Sequence, residues 1–463
     1  MPLHSQEELL AGLPPAPQVS AEDVVCAQQA SRRSLVQVVL DDDPTGTQSV
    51  AGLPVLIAWE VTDFIWAFQT EAPAIYVMTN SRSLTAENAE AINRQVIGAA
   101  LTAASKVGKE LSFVSRSDST LRGHFPLEPN TIADCLQNQT DPITGTIICP
   151  AFPDAGRITI AGVHYAGNPE TGYLPVGETE FAADATFGYQ NSYLPDWVAE
   201  KTGGGVAKQV LVLDIHTLRT DLEAAVELLQ SAKDGQPIVV DAVVEADLRQ
   251  LALALIKAED AGSRFIYRVG PPFVRARIGQ TEHPPLTPAE ISTVSKTSNN
   301  TPGGLLVVGS HVGLTTRQLA YLKETTAIVE LEINVAKILQ ETSRKQYLTQ
   351  IVTDAVKALA NGNVLIQTSR DLVRGADADE SLKISRKVSA SVVEVVQEIL
   401  AEVSPRFVIA KGGITSSDVA SKGLGIRHAM VVGPMLRGIV SLWVGQDGRG
   451  AGIPYVVFAG NVG

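Results

Sequence analysis

Cysteine is scarce in this chain: Cys26, Cys135 and Cys149 are the only three among 463 residues. An odd, widely spaced set supports neither a disulfide framework nor a thiolate metal site, so these read as reduced, buried thiols. The seven histidines are scattered and offer no zinc pattern. Basic charge is short as well. With 37 Lys and Arg against 50 Asp and Glu, the formal charge is -13, which argues against nucleic acid or an anionic membrane as the main partner. Any anionic ligand must then be held by local arginines, lysines and backbone N–H groups. No uncharged apolar run reaches the roughly 20 residues of a membrane span. The opening "MPLHSQEELLAGLPPAPQ" has neither a basic n-region nor an apolar h-region, so no signal peptide is expected and a cytoplasmic location is the default. There is also no G-x-x-x-x-G-K-[ST] and no protein-kinase signature set, which excludes both of those routes to a bound phosphate.

What the chain does have is length and alternation. It is too long for one ordinary core, so two or three domains are expected. Short apolar runs suggest strands at 35–40, 74–79, 110–115, 145–149, 209–215, 237–242, 264–269, 304–309, 327–333, 363–368, 406–410 and 455–460. Helical period is clearest in 84–106, 220–233, 345–360 and 384–403, where Ile384, Val388, Val392, Val395, Ile399 and Val403 fall on one stripe. Strand, loop and helix in turn predict an α/β protein of two domains, each with a mostly parallel sheet flanked by helices and with the active site in the cleft between them. The Pro-, Ser-, Thr- and Asn-rich text after Arg277 marks the boundary. The expected division is an N-terminal extension (1–33), a first domain (34–285), a linker (286–303) with "TPAEIST" as an embedded helix, and a second domain (304–463). Residues 154–207, rich in Gly and aromatics, predict an irregular cover, and the "GGG" at 203–205 reads as a plain loop.

The polar residues gather where predicted strands end, which is where open α/β sheets bind ligands. After "SLVQVVL" come Asp41, Asp42 and Asp43, then Pro44, Thr45 and Gly46. Three adjacent carboxylates must sit in water, on donors or on a cation; a solvated turn is the bland alternative. Further strand ends give "NSRS" (80–83), "RSDSTLRGH" (116–124), "PAFPDAGR" (150–157), "GSHVG" (309–313), "TSRD" (368–371) and "KGGITSSD" (411–418). In the first half, Asp42, Asp43 and Asp118 are placed to accept from hydroxyls, while Arg82, Arg116, Arg122 and Arg157 are placed to grip an anion. In the second half, strand, Gly412-Gly413 and helix make a backbone cradle for phosphate, with helix capping by Thr415 or Ser416 as the alternative. "VVGSHVGLTTRQL" repeats that grammar. His124, His164 and His311 read as hydrogen-bonding or packing residues before they read as bases.

One substrate-type half and one phosphate-type half suggest phosphoryl transfer, which needs positioning, Mg²⁺ and a base for the attacking hydroxyl. Two alternatives stay open. "VVLDDDPTG" also fits the D-x-D-x-T pattern of haloacid-dehalogenase phosphatases, with Asp41 as nucleophile, Asp43 as acid/base and Thr45 beside it, although no late acidic pair follows. A non-catalytic sugar-acid-binding protein would bind without turnover.

Taken in order, "DDDPTGTQ", "TNSRSL", "SRSDSTLRGHFPLE", "PAFPDAGR", "VGSHVGLTTRQL", "KGGITSSD" and the terminal "GNVG" closely resemble the four-carbon acid sugar kinase family, from about Leu40 to Gly463. The resemblance implies an acid-sugar-binding domain and a nucleotide-binding domain that moves the γ-phosphate of ATP, with Mg²⁺, to the terminal hydroxyl of threonate, erythronate or an oxo analogue. By matching motifs it implies Asp42 and Asp43 as catalytic carboxylates, with Asp43 the general base and Asp42 a hydroxyl or metal ligand. Thr45, Ser81, Arg82, Asp118, Ser119, Arg122 and Arg157 would bind substrate, the last two its carboxylate. Ser310, Gly412, Gly413, Thr415, Ser416, Gly460 and Asn461 match the nucleotide-side motifs and would bind ATP; Lys411, not part of that match, is expected beside them as a lysine near the phosphates. Asp41, Pro44, Lys411 and "GNVG" depart from the better-studied "ADDLTG" and "GNFG" patterns, which points to a separate subgroup. No nucleic acid or membrane partner is expected, and a homodimer is left open.

Overall fold

Val36, Val38, Val39 and Leu40 are apolar on both faces of their strand, so β1 (Leu35–Asp41) has to be covered from both sides, and its burial is nearly complete from Val36 onward. Helices supply the cover. The Ala86–Val107 helix starts at the Thr85 cap, ends at Gly108 in a left-handed conformation (φ 68°), and buries Ala89, Asn93, Val96, Ile97, Ala100, Ala103 and Ala104 along one stripe. The computed structural model describes residues 3–137, 142–204, 210–295, 301–369, 378–436 and 438–460.

Two compact units result, Met1–Val50 with Trp59–Glu282, and Ala51–Ala58 with His283–Gly463. The chain thus enters the second unit briefly, through β2 (Pro54–Leu56), before completing the first. The first unit continues with β3 (Ala74–Met78), β4 (Glu110–Arg116), β5 (Gly145–Cys149), β6 (Arg157–Ile160), β7 (Val163–Asn168), β8 (Gly172–Pro175), β9 (Leu211–Leu213), β10 (Gln236–Val240) and β11 (Phe265–Val269). Six of these and β1 form a parallel sheet in the order β3-β1-β4-β11-β5-β10-β9. From β1 the chain goes to β3 on one side and comes back to β4 on the other. That reversal opens a crevice at the C-terminal ends of β1 and β4, where Asp41 lies in register with Arg116.

The region expected to be an irregular cover is more ordered than its composition suggests. β6, β7 and β8 form an antiparallel sheet, and Leu194–Lys201 is a helix with buried Leu194, Trp197 and Val198. Their signal was faint because the strands are short and interrupted by Gly and Pro. Gly203 and Gly204 do lie in a turn; Gly205 is outside the described residues. The N-terminal stretch folds onto the first unit, with Val24 packed on Ala252 and Ile256 and His4 N–H donating to the Tyr173 carbonyl at 2.9 Å.

In the second unit, β12 (Leu305–Val308), β13 (Ile328–Ile333), β14 (Asn363–Thr368), β15 (Val408–Lys411), β16 (His428–Leu436), β17 (Val440–Gly445) and β18 (Pro454–Phe458) pair in the order β13-β14-β12-β15-β18-β17-β16-β2. The first five are parallel; β17, β16 and β2 pair antiparallel. The chain leaves β12 toward β13 and β14, then crosses to β15, which opens a second crevice between the ends of β12 and β15. The predicted "TPAEIST" helix is present at Pro288–Val294 behind the Thr287 cap, with Ile291 and Val294 against Val440, Leu442 and Val456. Among the described residues no helix is long and apolar enough to cross a membrane.

Candidate active site

At the β1 end the three carboxylates have three different environments. Asp41 is fully buried and ion-paired with Arg116, whose Nη2 also donates to the Asp43 carbonyl at 2.8 Å. A Cβ on Gly46 would stand 2.0 Å from the Asp41 carboxylate and 2.5 Å from Arg116 Nε, so glycine is needed there for close approach. Arg116 is thus buried and ion-paired within the fold, and Asp41 presents no exposed oxygen, which is not the open carboxylate that an aspartyl-phosphate nucleophile needs.

Asp42 is also buried, with Oδ1 and Oδ2 accepting from Arg82 Nη2 and Nε at 2.7 and 3.1 Å. Burial pushes its carboxyl up to about 6, against the pull of Arg82. Both oxygens are therefore engaged, and a cation on Asp42 would have to displace that guanidinium. Among the described residues no three His, Cys, Asp or Glu side chains converge as a metal site. Asp43 keeps the most open position, a quarter exposed, with Oδ1 accepting from the Thr45 N–H and hydroxyl at 2.9 and 2.5 Å and Oδ2 lying 3.4 Å from Arg82.

The β4 end brings the other predicted residues to the same crevice. Arg122 Nε donates to Asp118 at 2.7 Å, and Thr120 bonds the same carboxylate. Burial alone would raise Asp118, but Arg82 and Arg122 bring it down to about 2. Arg122 and Arg157 both lie over the ring of Phe181, at 5.3 and 5.6 Å from its centroid. Burial lowers Arg157. Ser119 is buried, and its carbonyl is held by His164 at 2.8 Å. His164 is itself buried and pushed down to about 4, so it braces the loop as a neutral ring. His124 Nε2 meets the carbonyls of Ser81 and Leu84 at 3.1 Å, again a bracing role.

Beneath this layer lies an ion pair that sequence reasoning did not isolate. Arg268 Nη1 donates to Glu128 Oε2 at 2.5 Å and to Ser115 at 2.8 Å, while Ser81 donates to Glu128 Oε1 at 2.5 Å. Both charged residues are 3% exposed. The pair holds Ser81 and so the turn that carries Arg82. The signal available was Glu128 at the end of the "DSTLRGHFPLE" run, an acid inside an otherwise apolar helix start. Likewise Arg275 ties Asp154 of the "PAFPDAGR" loop, at 3.0 Å, to Glu245 at 2.6 Å.

In the second unit Ser310, Lys411, Gly412, Gly413, Thr415, Ser416 and Gly460 gather at the ends of β12, β15 and β18. Gly412 has φ 121°, and a Cβ there would press on Thr415 and Ser310 at 3.2 and 3.4 Å. A Cβ on Gly309 would lie 2.2 Å from Thr415, and one on Gly460 would lie 2.5 Å from Ser310. Thr315 donates to Ser310 at 3.0 Å or the Gly460 carbonyl at 2.9 Å. Backbone thus faces side-chain hydroxyls with no Cβ between, a cradle suited to phosphate oxygens. Ser416 is turned inward, donating to the Ala410 carbonyl at 2.8 Å. Lys411 is 6% exposed; its Nζ donates to the Ala459 carbonyl at 2.9 Å and lies 3.6 Å from the Phe458 centroid. Burial brings its ammonium down to about 8. His311 meets Thr368 at 3.3 Å. Asn461 and Gly463, and Arg370 and Asp371 of "TSRD", lie outside the described residues.

Comparison with known proteins agrees with this division. The family model described as a sugar-binding N-terminal domain matches residues 37–277, and that of a nucleotide-binding C-terminal domain matches 305–463. A Heliobacterium modesticaldum protein named D-erythronate kinase is 27% identical over 223 residues, 46% of this chain and 47% of its own length. A Bordetella bronchiseptica protein named D-threonate kinase is 29% identical over 225 residues, 47% and 49% of the two chains. The chain thus spans about half the length of the curated relatives it matches. The fold is shared with a crystallised Salmonella typhimurium LT2 protein (TM-score 0.67, 18% identity, 93% and 96% covered) and with a Haemophilus influenzae protein of the DUF1537 family (TM-score 0.59, 17% identity, 92% and 97% covered). With both domain models matched in order, the chain belongs to the four-carbon acid sugar kinase family.

Proposed function

We propose that this protein is an ATP-dependent kinase that phosphorylates the terminal hydroxyl of a four-carbon sugar acid of the threonate, erythronate or oxo-tetronate class. The observation that carries the reading is the paired topology. Each unit has a strand-order reversal, and one crevice holds carboxylates and arginines while the other holds glycines and hydroxyls. In this reading Arg122 and Arg157 hold the substrate carboxylate, Thr45, Ser81, Arg82, Asp118 and Ser119 shape and support the hydroxyl site, and Asp43 takes the proton from the attacking oxygen. Asp43 suits that task because Thr45 orients one oxygen and the group remains accessible, whereas Asp42 is committed to Arg82. Ser310, Lys411, Gly412, Gly413, Thr415 and Gly460 hold the nucleotide phosphates, with Ser416 buttressing the turn and Asn461 the remaining motif residue. Asp42, with both oxygens engaged by Arg82, does not fit a metal ligand; magnesium bound with ATP would supply neutralisation of phosphate charge.

The test is ADP release from Mg-ATP with and without threonate, erythronate and the 2- and 3-oxo-tetronates, with free phosphate followed in parallel. Acid-dependent ADP without free phosphate is expected, and Asp43→Asn should lower kcat at least about 100-fold while leaving acid binding intact. ADP release that ignores every acid, or near-normal turnover by Asp43→Asn, would defeat the substrate class or the base, respectively.

A further inference from the structure

Between β8 and the Leu194–Lys201 helix the chain makes an excursion that turns three side chains onto the Asp118–His124 loop. Tyr189 Oη donates to the Thr120 carbonyl at 2.7 Å, Phe187 meets His124 edge-on with centroids 5.0 Å apart, and Asp184 lies 3.9 Å from Arg122. The excursion is itself firmly held. Ala182 and Tyr189 share a buried cluster with Leu121, Leu194 and Trp197, and Asp184 accepts from the Thr186 and Phe187 N–H groups at 2.9 Å. Phe181, packed against that cluster, therefore has a fixed place beneath two cations.

Two guanidinium groups near one ring would repel each other if nothing lay between their charges and the protein. The negative face of the ring offsets part of that repulsion, and a guanidinium lying over a ring keeps its N–H edges for a planar anion. Arg122 commits Nε to Asp118, and Arg157 commits Nη1 to the Ala155 carbonyl. Arg157 Nε is buried and makes no hydrogen bond among the described residues.

We propose that Phe181 is the positioning residue that makes Arg122 and Arg157 one clamp for a single carboxylate, and so sets the preference for acids over neutral polyols. The inference rests on the sugar-acid reading above. Phe181→Leu keeps apolar packing and removes the ring face; Phe181→Tyr keeps both. Expected for Phe181→Leu is a roughly tenfold rise in KM for the acid, with KM for ATP and for the neutral amide of the same acid unchanged and the melting temperature retained. Phe181→Tyr should behave as the parent. Equal changes for acid and amide, or an unchanged acid KM, would overturn the role. Calorimetric titration of threonate, erythronate and the oxo-tetronates into parent and variant separates the two ideas. Acid binding that weakens in Phe181→Leu supports the clamp even if no acid is turned over, while a parent that binds none of these acids overturns it.

Discussion

Gly46 illustrates how tightly one residue is bound to its neighbours at this site. Its missing Cβ makes room for the buried Asp41–Arg116 pair, which in turn fixes the carbonyl of Asp43. Gly46→Ala must push that pair apart, and separating buried charges costs about 3–5 kcal/mol. Urea unfolding should register a loss of that order. Gly98 provides the contrast within the same unit. It lies inside the Ala86–Val107 helix, and a Cβ there meets nothing within 4 Å, so Gly98→Ala should gain roughly 0.5–1 kcal/mol. Equal stability of the Gly46→Ala and parent proteins would mean that Asp41 and Arg116 can move aside, and the case against Asp41 as a nucleophile would weaken with it.

At the scale of an element, the proposed function makes the turn after β15 the place where charge and phosphate binding would be coupled. Lys411 is the last residue of that strand, and burial lowers its ammonium from the ordinary lysine range to about 8. Below about 8 it is charged and able to meet phosphate; above, it is neutral in the folded chain although still charged when unfolded. KM for ATP should therefore rise several-fold from pH 7 to 9, while this group's contribution to stability increases over the same range. Lys411→Arg should abolish the rise, and a flat profile in the parent would remove Lys411 from the phosphate site. Elements of this kind were legible in sequence because a fully buried parallel strand is a continuous apolar run and the polar residues at its end have nothing else to explain them. β16 and β17 were not. β16 contains Gly433 and Pro434, and its ladder with β17 shifts register at both, which breaks the alternation that would reveal it. The Glu128–Arg268 pair was illegible for a different reason: its partners are 140 residues apart, and no local pattern couples them.

At the scale of the whole chain, the division into units does not follow the order of the sequence. Ala51–Ala58 belongs to the second unit although 224 residues of the first unit, Trp59–Glu282, follow it. Within that excursion β2 pairs with β16 through Leu56–His428, Val55–Ala429 and Pro54–Met430, and all three of its residues are buried. A fragment beginning at His283 therefore keeps the five parallel strands and the nucleotide turns but exposes one edge of β16, a row of unpaired N–H and C=O groups flanked by apolar side chains. Such a fragment should bind ATP weakly or not at all at concentrations where it self-associates. The same fragment carrying residues 50–59 on a flexible N-terminal linker should be monomeric and melt several degrees higher, since burying Val55 and Leu56 again is worth about 3 kcal/mol or more. Sedimentation and thermal unfolding of the two fragments compare them directly. If the shorter one is equally monomeric and equally stable, β2 is an attachment to the second unit and the 283–463 segment is a complete nucleotide-binding fold by itself.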